Sequence, residues 1–243
     1  MPNPQPTEFK IEAGDARIYG KVFGPEGAPV LVLLHGNGED LHLFDPHIAY
    51  FSQHYRTIAI DTRGHGLSTR GTAPFHFYTF ATDLVAVLDA LHINKAHVVG
   101  FSDGAITALH AALIAPERLL SMVLLGANYH TRGVYLIFRL QIVLIYIWLW
   151  MASLFWAEKR KQREIWGLMV HQPKLTLAQL SRITLPTLVV TGQNDMVKQR
   201  HNDEIHRAIS GSKRIIVPDG NHFWFFTKPE LFNQWVMEFL SCC

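Results

Sequence analysis

The sequence of 243 residues contains few cysteines, little net charge and no low-complexity tract. Its only cysteines, Cys242 and Cys243, are adjacent at the end of the chain and cannot cross-link the fold. This indicates a reducing compartment or indifference to redox state. A formal charge of +2 and scattered histidines argue against nucleic acid as a partner. We find no internal repeat and no metal-ligand spacing, so we expect no metal and no other cofactor.

A targeting signal is also lacking from the sequence. Residues 1–6 contain neither a basic start nor an apolar stretch, unlike a signal peptide, so the cytoplasm is the expected location. What the chain does contain is a high share of apolar residues, 49%. With this length, that share predicts a globular protein with a sizeable core.

Short apolar runs alternate with helical patterns from Val30 onward. This alternation predicts an α/β fold in which a mostly parallel central sheet has helices on both faces. An antiparallel pair of strands is expected before it, and a closing helix over Pro229–Leu240. The predicted strands span 8–13, 17–23, 30–34, 56–60, 96–99, 121–126, 187–191 and 214–217.

The most informative motif is Gly100-Phe101-Ser102-Asp103-Gly104, which lies between an apolar strand and a predicted helix. This is the context of a nucleophile elbow, in which a sharp turn lifts a serine above the sheet. Side chains at Gly100 and Gly104 would collide with neighbouring backbone. The helix that follows offers N–H donors for developing negative charge.

Four further motifs accompany the elbow: His35-Gly36-Asn37-Gly38 and Asp61-Thr62-Arg63-Gly64-His65-Gly66 earlier in the chain, then Gly192-Gln193-Asn194-Asp195 and Gly220-Asn221-His222. In this order, the five motifs resemble the α/β-hydrolase superfamily from about residue 9 to residue 240. The resemblance implies a catalytic triad with Ser102 as nucleophile, His222 as base and Asp195 as the carboxylate that orients the imidazole.

The resemblance also implies an oxyanion hole made by the backbone N–H groups of Asn37 and Asp103. An acid at position 103 is unexpected, because a carboxylate repels a developing oxyanion. Its side chain either points into a local hydrogen bond or binds a positively charged group of the substrate. The residues expected to support these motifs are His35, Gly36, Gly100 and Gly104.

The alternation stops between Gly126 and Thr187, where this superfamily inserts a helical lid after the sixth strand. We therefore divide the chain into a core, residues 1–127 and 185–243, and a lid, residues 128–184, within one folding unit. Residues 134–156 of this lid are almost entirely apolar. Three interpretations are open: burial on the core and an apolar substrate pocket, packing against a second subunit in a homodimer, or contact with a membrane interface.

A serine nucleophile indicates acyl chemistry on the uncharged carbonyl of an ester, thioester, lactone or amide. Within the superfamily, the sequence most resembles small-molecule serine carboxylesterases of bacteria, which implies a small-molecule ester as substrate. We expect a carboxylesterase acting on small, largely apolar esters through an acyl-enzyme. Alternatives on the same triad are a carbon–carbon bond hydrolase and a cofactor-free perhydrolase. An alternative of another class is a non-catalytic receptor that uses the pocket to bind a ligand.

Overall fold

The predicted alternation is confirmed by the computed structural model, which describes residues 6–243. The strands are β1 (Thr7–Ala13), β2 (Ala16–Phe23), β3 (Val30–Leu34), β4 (Arg56–Ile60), β5 (Ala96–Phe101), β6 (Leu119–Leu125), β7 (Thr187–Gly192) and β8 (Lys213–Val217). The helices are α1 (Asp45–Phe51), α2 (Phe77–Ala90), α3 (Asp103–Ile114), α4 (Leu136–Ala152), α5 (Lys159–His171), α6 (Leu177–Leu180), α7 (Gln199–Ala208), α8 (Trp224–Thr227) and α9 (Pro229–Leu240).

The strands form one sheet in the order β1-β2-β4-β3-β5-β6-β7-β8. β1 and β2 are antiparallel to each other, β2 is antiparallel to β4, and all other neighbouring strands are parallel. All residues of β5 are buried, as expected for a central strand covered on both faces. The carboxyl ends of β3, β5, β6, β7 and β8 therefore meet at one edge of the sheet.

Two apolar layers cover the two faces of the sheet, because alternate residues of each strand point in opposite directions. On one face, Val32 and Leu34 of β3 belong to a cluster with residues of α2, α3 and α7. On the other face, Leu31 and Leu33 belong to a cluster with residues of α1 and α9. This packing fixes the strand ends from which the candidate site is built.

Helices α4, α5 and α6 lie in the segment between β6 and β7, after the sixth strand as predicted. Helix α4 buries only Ile142, Leu149 and Ala152, and most of its other apolar side chains are exposed. The interpretation in which the core covers residues 134–156 is therefore wrong for most of this stretch. Within residues 6–243, no helix combines the length and the apolar character needed to cross a bilayer.

Candidate active site

Ser102 lies at a sharp turn between β5 and α3, at the carboxyl edge of the sheet. Its backbone has φ 51° and ψ −111°, which non-glycine residues rarely adopt. The Ser102 N–H donates to the carbonyl of Leu125 at 2.8 Å, so the hydrogen bonding between β5 and β6 continues up to the turn. A strained serine held by a central strand is the geometry that the elbow motif predicts.

Glycine is required on both sides of this turn because backbone approaches it closely. A Cβ atom at Gly100 would collide with backbone atoms of Gly104. A Cβ atom at Gly104 would collide with the carbonyl of Leu34 and lie 2.7 Å from the carbonyl oxygen of His35. The two glycines therefore let α3 begin directly against β3 and β5.

Asp195 and His222 are brought together by the loops that follow β7 and β8. The Asn194 N–H donates to the Gly220 carbonyl at 2.7 Å and joins the two loops. His222 Nδ1 lies 2.8 Å from Asp195 Oδ1, and both side chains are buried. Because a carboxylate can only accept, Nδ1 carries the proton and leaves Nε2 free to act as a base.

The imidazole of His222 is held from several sides. Its ring centroid lies 4.8 Å from that of Phe101 and 5.4 Å from that of Phe223. Gly126, which has φ +59°, lies beneath the ring, and a Cβ atom there would come within 2.6 Å of His222 Cε1. Gly126 was not predicted as part of the site from the sequence. Its position directly after β6, at the edge where the other site residues follow their strands, could have indicated it.

The backbone N–H groups of Asn37 and Asp103 form no hydrogen bond among the described residues. Asp103 begins α3, whose first N–H groups have no partner within the helix. The Asp103 side chain is buried, and its Oδ2 accepts a hydrogen bond from Asn37 Nδ2 at 2.8 Å. Asn37 Nδ2 also donates to the carbonyl of Ile165 in α5 at 2.9 Å. One amide group thus links the loop after β3, the start of α3 and the segment 128–184.

Two carboxyl groups near His222 have raised pKa values because they are buried. Burial raises the pKa of Asp103 to about 6, although the hydrogen bond from Asn37 opposes this. Burial raises the pKa of Glu39 to about 7, and its Oε2 accepts from the Gly36 N–H at 2.9 Å. The nearby His222 favours the charged form of both carboxyls. Glu39 belongs to none of the five motifs, so its place near the site was not predicted from the sequence.

His35 shapes the loop after β3. Its Nε2 accepts from the Thr62 N–H at 3.0 Å, so Nδ1 carries the proton and donates to the Gly36 carbonyl at 2.7 Å. Burial lowers the pKa of His35 to about 4, which keeps the ring neutral. His35 therefore holds two loops in place and is not available as a base.

Ser102 and His222 line the same small cavity of about 40 Å³, which is room for one or two water molecules. No hydrogen bond joins their side chains among the described residues, a looseness that is common before substrate binds. The remaining walls come from α3, the segment 128–184 and the loop after β7: Asp103, Ile106, Asn128, Val134, Ile142, Met169, Gln172, Pro173, Met196 and Val197. Most of these side chains are apolar.

A larger cavity of about 430 Å³ lies near the start of α7 and contains none of the three triad candidates. It is lined by Tyr129, His130, Arg132, Lys198, Arg200, His201 and Glu204. Size alone therefore does not identify the site. The smaller cavity holds the strained serine and the paired imidazole, which are the groups that can do chemistry.

Several known proteins with similar sequences or structures are named as hydrolases, lactonases or esterases. Human serine hydrolase BPHL is 27% identical over 97% of this chain and 87% of its own length. The 3-oxoadipate enol-lactonase 2 of Acinetobacter baylyi is 35% identical over only 44% of this chain and 40% of its own length. The crystal structure of naproxen esterase (carboxylesterase NP) from Bacillus subtilis has a TM-score of 0.79 at 25% identity, covering 98% of this chain and 92% of that one.

The sequence profile of the α/β-hydrolase fold matches residues 29–169, which is more than half of the chain. The matched stretch runs from the start of β3 to α5 and includes the elbow. Strand order, the inserted helices and the relatives agree with this match. The chain belongs to the α/β-hydrolase family.

Proposed function

We propose that this protein is a serine carboxylesterase that cleaves small, largely apolar esters through an acyl-enzyme. The observation that carries the proposal is the buried hydrogen bond of 2.8 Å between His222 and Asp195, on the wall of the cavity that also holds Ser102. A serine hydroxyl needs an adjacent base to attack a carbonyl. An enol-lactonase and an esterase among the similar proteins support ester bonds as the target, since a lactone is a cyclic ester.

In the proposed first half-reaction, Ser102 Oγ attacks the ester carbonyl and passes its proton to His222 Nε2. Asp195 stabilises the resulting imidazolium through Nδ1. The N–H groups of Asn37 and Asp103 donate to the oxyanion of the tetrahedral intermediate. When this intermediate collapses, the alcohol leaves with the proton from His222, and the acyl group stays on Ser102.

In the second half-reaction, a water molecule gives a proton to His222 and attacks the acyl carbonyl. The same two N–H groups stabilise the second oxyanion. Its collapse breaks the bond to Ser102, releases the carboxylic acid and returns the proton to the serine. All groups end in their starting state, and no cofactor is needed for these steps.

We also propose that residues 128–184 act as a lid over this site, with residues 1–127 and 185–243 as the core. Val134, Ile142 and Met169 of this segment line the cavity with the serine. Because the cavity measures only about 40 Å³, we expect these residues to move apart when an ester binds. The apolar walls favour apolar acyl groups, which gain up to ~0.8 kcal/mol per buried CH₂ until the space is filled.

Labelling with a fluorophosphonate probe tests the proposal, because the probe reacts only with an activated serine. We expect one covalent adduct on the peptide that contains Ser102, and none in Ser102→Ala. Absence of labelling on folded protein would indicate the receptor alternative. Labelling without hydrolysis of any p-nitrophenyl ester would favour the other chemistries available to the same triad.

A further inference from the structure

The segment 128–184 presents an unusually apolar surface to its surroundings. Within the described residues, 15 of the 22 exposed large apolar side chains lie between positions 135 and 156. We call these 15 residues the outer apolar surface: Tyr135, Leu136, Ile137, Phe138, Leu140, Val143, Leu144, Ile145, Ile147, Trp148, Trp150, Met151, Leu154, Phe155 and Trp156. Exposed apolar clusters of this kind mark interaction sites.

The arrangement around α4 shows which face is free. Its buried and half-buried positions, 139, 142, 146, 149 and 152, recur every three or four residues and form one narrow stripe. The rest of the helix is exposed and almost wholly apolar, with Gln141 as an exception. A protein partner would cover only one side of this helix and leave other apolar side chains in water. An apolar medium around the helix would cover all of them.

A basic cluster adjoins the outer apolar surface. Lys159, Arg160, Lys161 and Arg163 lie at the start of α5, and none of them forms an ion pair among the described residues. Lys159 Nζ lies 5.8 Å from the ring centroid of Trp148, so the two surfaces are continuous. Tryptophan beside lysine and arginine is typical of segments at the boundary between lipid acyl chains and headgroups.

Charge is distributed unevenly over the chain. Residues 128–184 contain eight basic and two acidic residues, a formal charge of +6, whereas the whole chain carries +2. The remaining residues therefore carry −4. Glu164, one of the two acids, is paired with Arg70 outside the segment at 2.8 Å. Four of the eight basic residues form the basic cluster beside the outer apolar surface, and an anionic partner would complement them.

We propose that the outer apolar surface and the basic cluster dock on an anionic lipid bilayer, with α4 in the plane of the interface. A symmetric homodimer would place the same surface of each copy face to face, so the two basic clusters would be brought near each other. A bilayer with acidic headgroups provides apolar depth for the aromatic residues and phosphates for the cations. The proposal does not depend on the activity of the site.

Vesicle sedimentation of the full chain tests this proposal. We expect binding to vesicles of phosphatidylcholine and phosphatidylglycerol, reduced at least tenfold by high salt or by omission of phosphatidylglycerol. The triple variant Lys159→Gln, Arg160→Gln, Lys161→Gln should lose binding to a similar extent. Its matched control, Lys10→Gln, Lys95→Gln, Arg207→Gln, removes the same charge from exposed positions elsewhere and should bind like the unmodified protein.

A second pair of variants tests the apolar contribution. Leu144→Gln with Phe155→Gln alters side chains that are 67% and 79% exposed, so folding should be retained while vesicle binding is lost. Leu67→Gln with Ile216→Gln, at exposed sites outside the segment, should bind normally. The thermal unfolding midpoint of each variant reports whether it folds.

Fluorescence quenching by brominated acyl chains locates the contact. We expect the tryptophan fluorescence of the unmodified protein to be quenched. The variant Trp148→Phe, Trp150→Phe, Trp156→Phe should still sediment with vesicles, but its remaining tryptophans should not be quenched. The proposal is overturned if the protein does not sediment with anionic vesicles, binds neutral and anionic vesicles equally, or shows no quenching. It is also overturned if sedimentation velocity shows a dimer that Leu144→Gln with Phe155→Gln converts to a monomer.

Discussion

The strand ends of the sheet and the segment 128–184 use apolar residues in opposite ways. Around the sheet, apolar side chains face inward in two layers, and polar groups such as Asp195 and His222 occur where strands end. In α4, the apolar side chains face mostly outward, and a narrow buried stripe contacts the rest of the protein. Hydrophobicity alone therefore does not determine which side of a helix or strand faces the protein interior.

The two regions meet at the candidate active site. Ile142 of the buried stripe and Ser102 line the same cavity, and Asn37 links Asp103 to the carbonyl of Ile165. The sheet edge thus supplies the groups that would do chemistry, and the segment supplies walls. Substitutions at the sheet edge should therefore change the rate of catalysis. Substitutions at exposed positions of the segment 128–184 should change binding to vesicles and leave the rate unchanged.

The largest effect is expected from the imidazole–carboxylate pair. Asp195→Asn should lower kcat by ~10⁴ because the imidazole loses its orientation and its counter-charge. His222→Ala with Asp195→Asn should be little worse than the more damaging single change, since the residues act as a unit. Steady-state kinetics with p-nitrophenyl esters measure both.

The chain offers a matched control for this change. The pair His42–Asp45 has the same separation of 2.8 Å between Nδ1 and a carboxylate oxygen, but both side chains are exposed. Asp45→Asn should leave kcat unchanged. Similar losses in Asp45→Asn and Asp195→Asn would contradict the assignment of Asp195.

Gly126→Ala should produce the next largest effect. The new methyl group would meet the ring of His222, and a displacement of about 1 Å in a catalytic group can cost ~10²-fold in rate. Gly14→Ala is the control, because Gly14 has a similar φ of +62° and nothing within 4 Å of the added atom. Both variants should lose stability from the positive φ, Gly126→Ala more because of the added contact with His222, and only Gly126→Ala should lose activity. Equal activities would show that Gly126 does not support the imidazole.

A smaller effect is expected from a pair of leucines in α4. Leu149 is 2% exposed, and Leu149→Gln should lower the free energy of unfolding by ~2–4 kcal/mol because a polar group is buried. Leu144 is 67% exposed, and Leu144→Gln should change the free energy of unfolding by less than ~0.5 kcal/mol. Urea denaturation measures both values. Equal destabilisation of the two variants would show that α4 does not have one buried stripe and one exposed outer surface.

The smallest effect concerns the pH dependence of stability. Burial raises the pKa of Glu39 from 4.5 to about 7, so the folded state holds its proton more tightly than the unfolded state. Stability is therefore lost as pH rises from about 4.5 to about 7, and the loss persists above that range. Glu39→Gln removes this pH-dependent loss of stability. The variant should therefore gain a few degrees more in melting temperature, relative to the unmodified protein, at about pH 8 than at about pH 5.

An exposed carboxylate provides the comparison for this measurement. Glu117→Gln should show no such dependence on pH, because Glu117 is exposed. A gain from Glu39→Gln that is constant over the same pH range would mean that the carboxyl of Glu39 is not held in its protonated form by burial.

Much of the fold was predictable because the sheet obeys simple patterns. Buried parallel strands read as short apolar runs, and the stripe Phe80, Leu84, Val87 and Leu88 marked the buried side of α2. The motifs that contain Ser102, Asp195 and His222 could be placed because each follows a predicted strand. Their roles remain a prediction until they are tested.

Other features could not be predicted from the sequence. Periodicity identifies a buried stripe only where polar residues mark the opposite side, and α4 is apolar on nearly all sides. The proximity of Glu39 to the site depends on a turn after β3 that brings its Oε2 to the Gly36 N–H. The role of Asn37 as a link to Ile165 depends on how a helix 128 residues later in the chain packs, which no local pattern records.

The most direct test of the account is mass spectrometry of an acyl-enzyme during turnover of a p-nitrophenyl ester, trapped by acid. We expect a transient acyl group on the peptide that contains Ser102, and none in Ser102→Ala. Where deacylation limits turnover, we expect a burst of p-nitrophenol that approaches the number of active sites. Unchanged turnover in Ser102→Ala, or an acyl group trapped on another residue, would contradict the acyl-enzyme mechanism.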